Sequence, residues 1–187
     1  IQLHKSAADK GDFEHFMLKE IYEEPAVVKA SLHSVTDDGD AVFTDMPFGE
    51  ADFKNLSRIY IVGCGSAYHV GLIAKYNFVK VAKIPAFAEY AVEFRYADTV
   101  IDESCLVIII SQSGETADSL AALKQAKEMG AKTISIVNVP ESSIAKMSHY
   151  NILTLAGAEV AVATTKALSC QLFVLNMLCM YISRQRN

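Results

Sequence analysis

The pattern of apolar and polar positions places a buried strand and an amphipathic helix at the centre of the chain. Five apolar residues, Leu106–Ile110, are mostly β-branched, which predicts a strand buried on both faces. Leucine and alanine then recur at helical spacing over Ala117–Met129, and Gly130 follows as a helix-ending glycine. The short polar loop Ser111–Thr116 therefore joins the carboxyl end of a buried strand to the amino end of a helix.

The same alternation of strand and helix continues through most of the chain. Strands are predicted at Arg58–Val62, Pro85–Glu89, Leu106–Ile110, Lys132–Val137 and Tyr150–Thr154. Helices are predicted from the loop Gly63–Tyr68 to about Ala82, and at Ala91–Tyr96, Ala117–Met129, Ser142–Met147 and about Thr165–Ser183. This alternation predicts an α/β fold, a doubly wound, mostly parallel five-stranded sheet of the flavodoxin-like kind with helices on both faces.

The first 55 residues differ from this regular pattern. Ile1–Asp12 is polar and is predicted to be a linker, and Phe13–Leu32 has helical periodicity that Pro25 is expected to kink or split in two. The segment Ala41–Asn55 shows no sustained period and is predicted to be irregular. We therefore divide the chain into an N-terminal linker with a helical extension, 1–55, and a sheet-bearing domain, 56–187.

The last predicted helix, about Thr165–Ser183, is apolar on nearly every side. A surface helix of a globular protein normally keeps one polar face, so this helix is expected to pack against more than its own sheet. We interpret the pattern as a sign of a further partner, either a second domain or a second subunit, and we expect a homodimer.

Composition and charge narrow the classes of function. The chain has 187 residues, of which 51% are hydrophobic and 21% charged, so it is expected to be globular. Its net charge of -5 argues against a nucleic-acid partner. The apolar runs in the sequence are expected to be too short to cross a membrane, and the N-terminus does not resemble a signal peptide. We therefore expect no membrane partner.

The cysteines indicate the compartment and argue against a metal site. Cys64, Cys105, Cys170 and Cys179 are scattered, form no C-x-x-C pair and are not clustered with the five histidines. They are expected to be buried thiols in a reducing compartment, which favours the cytoplasm. No metal and no cofactor are predicted. The chain starts at Ile1 without a Met and stops just after a helical pattern, so we expect a fragment of a longer protein.

The Ser111–Thr116 loop has the properties of an anion site. The first N–H groups of a helix lack intrahelical partners and carry partial positive charge, and the hydroxyls of Ser111, Ser113 and Thr116 can point to the same place. Gly114 would let the backbone approach a ligand closely. The loop has no lysine and does not match the nucleotide-binding P-loop, which favours a phosphate monoester. The alternative is that Ser113 merely caps the helix and Gly114 merely forms a turn.

A second loop, Gly63–Tyr68, also follows a predicted strand and opens a helix. Ligands in parallel α/β folds bind at the carboxyl ends of strands, near the switch in strand order, so the two loops are expected to face one ligand. A dinucleotide fingerprint would need a glycine at Tyr68, and only Glu89 is placed as an acidic partner for a ribose. Nicotinamide or flavin binding is therefore not favoured.

The strand–Gly63-Cys-Gly-Ser66–helix unit followed by the strand–Ser111-Gln-Ser-Gly-Glu-Thr116–helix unit resembles the sugar isomerase (SIS) domain family of phosphosugar-binding proteins. Longer stretches resemble the isomerase half of the glutamine–fructose-6-phosphate aminotransferase family, and this resemblance covers essentially the whole chain. These stretches are His15–Pro25, Glu93–Tyr96, Ser111–Asp118 and Val162–Ala167.

The resemblance implies a reaction and a set of contacts. That family converts fructose 6-phosphate and glutamine into glucosamine 6-phosphate. By resemblance, the sugar phosphate would be held by the loop after the central strand, and the sugar by the earlier loop and a later segment. The implied substrate-binding residues are Gly65, Ser66, Ser111, Gln112, Ser113, Thr116, Val162, Ala163 and Thr164. Ala67 stands where many relatives carry a hydroxyl residue, which puts one polar sugar contact in question.

The resemblance also implies that other parts of such an enzyme lie outside this chain: the glutaminase domain, the second SIS domain and the tail that carries a Schiff-base lysine. Catalytic residues therefore remain unassigned, and the fragment is expected to be inactive alone. Glu115, Glu159 and Lys166 are the nearby acid–base candidates, with Glu115 more simply explained by its own helix N-terminus and Lys166 either supporting the pocket or solvated. Two alternatives stay open: a noncatalytic phosphosugar-sensing module, and a stand-alone phosphosugar isomerase.

Overall fold

The computed structural model describes residues 9–186, so most of the predicted linker lies outside the described residues. The helices are α1 (Phe16–Ser34), α2 (Glu50–Lys54), α3 (Ser66–Asn77), α4 (Ala91–Tyr96), α5 (Ala117–Glu128), α6 (Ser143–Met147) and α7 (Lys166–Arg186). The strands are β1 (Thr36–Asp37), β2 (Asp40–Ala41), β3 (Arg58–Gly63), β4 (Ala86–Tyr90), β5 (Cys105–Ser111), β6 (Lys132–Val137) and β7 (Tyr150–Leu153). A π-helical segment, Phe78–Ala82, continues α3.

The main sheet confirms the predicted fold class. Its five strands run parallel in the order β4-β3-β5-β6-β7, and helices flank the sheet. The chain leaves β3 toward one edge of the sheet and later returns to build β5 on the other side of β3. The switch in strand order therefore falls between β3 and β5, where Gly63 pairs in register with Ile110. The two loops singled out from the sequence leave the sheet at this point.

Two hydrophobic layers enclose the central strand β5, every residue of which is buried. On one face, alternate residues of the strands pack with α3, α7 and the buried Phe53 of α2. On the other face, the remaining alternate residues pack with α4, α5 and α6. The strand residues of both clusters are rich in Val, Ile and Leu, as expected for a parallel sheet covered on both sides.

The N-terminal segment is more ordered than its sequence indicated. Helix α1 is one continuous helix that contains Pro25, so the predicted split is wrong. The segment 41–55, predicted to be irregular, contains the short helix α2, whose Phe53 is buried in the core. Before it, β1 and β2 form a two-stranded hairpin with Asp38 and Gly39 at positive φ.

Helix α7 requires a correction to the membrane prediction. Lys166–Arg186 is long and apolar enough to cross a bilayer by length and composition, contrary to the expectation from the sequence. However, a single such helix is weak evidence for a membrane span, because core helices of soluble proteins pass the same test, and half of its most apolar window is buried inside the rest of the chain. Helices α1, α3 and the π-helical segment pack on it, so part of the cover that the sequence attributed to a missing partner comes from this chain itself.

Candidate functional site

A cavity of about 620 Å³ opens at the carboxyl ends of the strands, beside the switch point. Three segments supply most of its wall: the turn after β3, the loop after β5 and the segment that leads into α7. The predicted residues that line it are Ser66, Ser111, Gln112, Ser113, Thr116, Val162, Ala163 and Thr164. The fold thus brings together residues that are separated by about a hundred positions in the sequence.

The loop after β5 is held by its own hydroxyl groups. The Oγ of Ser111 lies 3.1 Å from Thr116 Oγ1, and the backbone N–H of Gly114 donates to Ser111 Oγ at 3.1 Å. The N–H of Glu115 donates to Ser113 Oγ at 3.2 Å. Thr116, not Ser113, is the residue that precedes α5, and its side chain makes no capping hydrogen bond. The helix N-terminus therefore faces the cavity without a side-chain cap.

Gly114 has a role that differs from the one the sequence suggested. Its φ is +69°, and a Cβ built there would lie 2.0 Å from Ser142 Oγ. Its carbonyl accepts a hydrogen bond of 3.0 Å from the N–H of Ile144 in α6. The glycine is needed for this turn and for close packing against α6, whereas we expected it to make room for a ligand.

The turn after β3 contains two predicted binding residues, of which one lines the cavity and the other does not. Ser66 is the first residue of α3, and it lines the cavity together with Ala67. Gly65 precedes α3 with φ +55° and is not among the residues that line the cavity. Tyr68 and His69 make packing contacts: Tyr68 stacks on Tyr90 with ring centroids 3.8 Å apart, and His69 Nδ1 lies 3.1 Å from the Gly65 carbonyl oxygen.

The third wall of the cavity is fixed by two carboxylates. Glu159 accepts hydrogen bonds of 2.9 Å from both Thr164 Oγ1 and the N–H of Thr165, so it covers the start of α7. Glu20 of α1 is 2% exposed and accepts from the N–H groups of Val160 and Ala161, at 2.6 and 3.1 Å. The N-terminal extension therefore positions the segment that carries three of the predicted binding residues.

Both glutamates proposed from the sequence accept hydrogen bonds from the chain in this structure. Glu115 is not a lining residue; its Oε1 accepts from the N–H of Ser143 at 2.7 Å, at the start of α6. This hydrogen bond lowers the pKa of the Glu115 carboxyl below its ordinary value. The Glu115 carboxylate thus accepts a hydrogen bond at the N-terminus of α6, whereas we expected it to interact with the N-terminus of its own helix. Glu159 lines the cavity, and its oxygens are taken up by the start of α7.

Lys166 is buried, so of its two predicted environments the solvated one is wrong. It is 3% exposed, and its Nζ donates to Glu23 Oε2 of α1 at 2.7 Å. Both residues line a second cavity of about 380 Å³ that adjoins the main one along the segment 157–158. The ion pair between Lys166 and Glu23 links α7 to the N-terminal extension.

Two polar residues of the site, Asn138 and Gln171, were not singled out from the sequence. Asn138 follows β6 and joins two segments of the wall, since its Oδ1 accepts from Ala156 N at 2.9 Å and its Nδ2 donates to the Gly157 carbonyl at 2.8 Å. Gln171, in the second turn of α7, also lines the cavity. Cys64, which was expected to be a buried thiol, is half-buried and lines the cavity as well. A polar residue within the apolar run of α7 was the signal that could have drawn attention to Gln171.

The residues that line the cavity suit an anion held by polar, uncharged groups. Among the described residues that line the cavity, Glu159 is the one with a charged side chain, and that charge faces the start of α7. An anion here would be held by hydroxyls, amides and the N-terminus of α5, with no lysine or arginine beside it. The buried Oε1 of Gln112 has no hydrogen-bond partner and is available to a ligand that donates.

Fold and site together define a parallel α/β domain with a cavity suited to an anion at its switch point, and comparison with known families identifies the type of domain. The SIS domain model matches residues 52–181, so this chain belongs to the SIS domain family. The match covers the whole parallel sheet and most of α7.

Similar proteins with curated names are glutamine–fructose-6-phosphate aminotransferases (isomerizing). The chain is 43% identical to the one from Clostridium acetobutylicum over 188 aligned residues, and 45% identical to the one from Clostridium tetani over 181. These alignments cover 100% and 96% of this chain but only 31% and 30% of the relatives. The chain therefore spans about a third of the length of these relatives.

Solved structures show the same relationship. The C-terminal domain of glucosamine-fructose-6-phosphate aminotransferase from Francisella tularensis superposes with a TM-score of 0.89 and 39% identity, covering 96% of this chain and 50% of that one. A glucosamine-6-phosphate deaminase structure from Thermotoga maritima gives a TM-score of 0.72 with 26% identity and covers 91% of this chain and 49% of that one. The chain thus matches half of each of these solved structures.

Proposed function

We propose that this chain is the phosphosugar-binding first SIS domain of a glutamine–fructose-6-phosphate aminotransferase, the enzyme that makes glucosamine 6-phosphate. The observation that carries the proposal is the cavity at the switch point, where the hydroxyls of Ser111, Ser113 and Thr116 lie beside the N-terminus of α5. This arrangement suits a phosphate monoester, because it offers several neutral donors around one anion.

The substrate contacts follow from that placement. The phosphate of fructose 6-phosphate or glucosamine 6-phosphate would accept hydrogen bonds from hydroxyls of this loop and from N–H groups of α5. Ser66, Gln112 and Thr164 would face the sugar, since they line the same cavity. Gly65, Val162 and Ala163 complete the proposed set: Val162 and Ala163 through the cavity wall, and Gly65 through the turn that presents Ser66.

The chemistry of amino transfer and isomerisation would need groups from other parts of the enzyme. Isomerisation requires a base that moves a proton between neighbouring carbons. The carboxylates of Glu115 and Glu159 both accept hydrogen bonds at helix N-termini, which supports a binding role for this domain rather than an independent isomerase. We therefore propose that the domain is inactive alone and acts with a second SIS domain and a glutaminase domain.

We further propose a cytoplasmic location and a homodimer. The free cysteines support a reducing compartment, since the three buried ones, Cys105, Cys170 and Cys179, form no disulfides. The homodimer is supported by exposed apolar residues at helical spacing on α1.

The test of the proposed function is a calorimetric titration of the chain with fructose 6-phosphate and glucosamine 6-phosphate. Binding at millimolar concentration or tighter is expected, with no binding of unphosphorylated fructose. Ser113→Ala and Thr116→Ala should each weaken binding by roughly 10-fold, because each removes a hydrogen bond to a charged group. Ser57→Ala, an exposed serine before β3 and outside the cavity, is the matched control. Equal affinity for fructose and its phosphate would contradict the proposal.

A further inference from the structure

Helix α7 places one glutamine side chain in the wall of the main cavity. Gln171 is 4% exposed, and it lines the main cavity. Within residues 9–186 its side chain makes no hydrogen bond, and its amide is not among the fully buried atoms that lack a partner. The amide is therefore reached from the cavity, where a ligand can supply the hydrogen bonds that the chain does not.

The position of Gln171 places it across the cavity from the phosphate loop. Helix α5, whose N-terminus follows the hydroxyl loop, packs on one face of the sheet, and α7 packs on the other. The cavity lies over the strand ends, between these two layers. A ligand whose phosphate lies against Ser113 and Thr116 therefore extends its remaining atoms toward the α7 side.

The chemistry of the amide selects the kind of group it would bind. A glutamine side chain both donates and accepts, and a sugar hydroxyl also does both, whereas a phosphate dianion only accepts. The unpartnered Oε1 of Gln112 independently calls for a donor in the same cavity. Both amides are thus suited to a polyhydroxylated ligand and not to phosphate alone.

We infer that Gln171 binds the sugar portion of the phosphosugar through a hydroxyl group, on the side of the cavity opposite the phosphate loop. This inference rests on the proposed function and adds a contact on α7 to it. It makes Gln171 a determinant of sugar selectivity, while the Ser111–Thr116 loop determines phosphate affinity.

A purely structural role for Gln171 gives a different expectation. An amide that makes no hydrogen bond to the chain adds none to its stability, so replacing it by an apolar side chain of similar volume should not lower the thermal midpoint. A structural hydrogen-bonding role would instead lower the midpoint. The variant Gln171→Met keeps the length of the side chain and removes its polar atoms.

The experiment compares wild type and Gln171→Met in calorimetric titrations with fructose 6-phosphate and with inorganic phosphate, alongside thermal unfolding. The affinity of Gln171→Met for fructose 6-phosphate should fall roughly 3- to 10-fold, the range expected for one hydrogen bond to a neutral group. Its affinity for inorganic phosphate and its thermal midpoint should not fall. Gln171→Leu should behave alike, and Gln125→Met, on α5 outside the cavity, should match wild type.

The remaining outcomes overturn the inference in distinguishable ways. Wild-type affinity of Gln171→Met for both ligands would overturn it and leave the proposed function intact, provided that Ser113→Ala still weakens binding. Equal losses for both ligands, or a lowered thermal midpoint, would assign Gln171 a structural role. No binding of fructose 6-phosphate by the wild type would overturn the inference together with the proposed function.

Discussion

At the scale of single residues, the site depends on a few atoms that leave no room for substitution. Gly114 combines φ +69° with a hypothetical Cβ that would approach the Oγ and Cβ of Ser142 to 2.0 and 2.4 Å. Neither distance is compatible with a real Cβ, so the loop must move if any side chain is added. The sequence indicated a glycine-bearing turn, but the reason for the glycine lies in α6, almost thirty residues away, and no local pattern reveals that contact.

Gly114→Ala is expected to destabilise the chain by about 2–5 kcal/mol, the sum of left-handed backbone strain and overpacking against Ser142. Urea unfolding measures this. In a Ser142→Gly background the same change should lose less stability, because the clashing atoms are gone and only the backbone strain remains. Gly49→Ala, where the φ is negative and no atom lies within 4 Å of an added Cβ, is the control. Equal losses in both backgrounds would exclude the steric explanation.

The hydrogen-bonded carboxyl of Glu115 leads us to expect that the stability of the fold depends on pH. Its pKa is lowered from the ordinary 4.5 by the hydrogen bond from Ser143 N–H, so the folded state favours the ionised carboxylate. The stabilisation is therefore complete above about pH 4.5 and is lost as the pH falls through the lowered folded-state value. Thermal midpoints should fall less steeply on acidification in Glu115→Gln than in wild type. The exposed Glu103→Gln should keep the wild-type slope, and an unchanged slope in Glu115→Gln would contradict the prediction.

At the scale of elements, periodicity predicts what each helix or strand is, but not which distant segment it holds. Helix α1 was recognised from its 3.6-residue pattern, and the strand–helix alternation predicted the parallel sheet. The contact of Glu20 with Val160 and Ala161 spans 140 residues, and it arises only because α1 packs on α7. A glutamate on a helix is most simply interpreted as solvated, so this buried link could not be predicted from the sequence.

Glu20→Ala is expected to loosen the segment that precedes α7, because it leaves the N–H groups of Val160 and Ala161 without their acceptor. A hydrogen bond to a charged group contributes about 1.5–3 kcal/mol, so hydrogen exchange at these two amides should accelerate by at least roughly 5-fold when the carboxylate is removed. Affinity for fructose 6-phosphate should fall as well, since Thr164 lies in the same segment. Exchange and titration at wild-type levels would show that α1 does not position the site.

Two variants control this experiment. Glu20→Gln keeps a side-chain oxygen that can accept both hydrogen bonds, so it should retain most of the protection of the two amides. Lys29→Ala lies at an exposed position of the same helix and should leave exchange at both amides unchanged.

At the scale of the whole molecule, the fold class and most of the site could be predicted, because parallel strands bring their carboxyl ends to one edge. Two separate loops that each follow a strand must then meet there, and Ser66 and Thr116 do line one cavity. The parts that were missed depend on packing between layers. Gln171 lines the cavity only because α7 packs on the face of the sheet opposite α5, and local sequence does not specify which residues of a helix face a cavity.

An apolar stripe on α1 is a candidate surface for assembly. Met17, Leu18, Ile21 and Tyr22 are exposed and recur at helical spacing on this helix. From the sequence we expected α7 to be the apolar helix that needs a partner. In the structure α1 covers part of α7 and itself exposes this stripe. An exposed apolar stripe of this kind commonly marks a contact surface, and a homodimer across α1 would bury it.

Sedimentation equilibrium is therefore expected to give twice the chain mass of 20.4 kDa at micromolar concentration. Ile21→Glu should raise the dimer dissociation constant by at least roughly 10-fold, because it places a charge in the middle of the stripe and burying an unpaired charge is unfavourable. Val100→Glu, an exposed apolar position far along the chain, should leave the mass unchanged. A monomer at high micromolar concentration would contradict the dimer, while a dimer that Ile21→Glu does not weaken would place its interface elsewhere than α1.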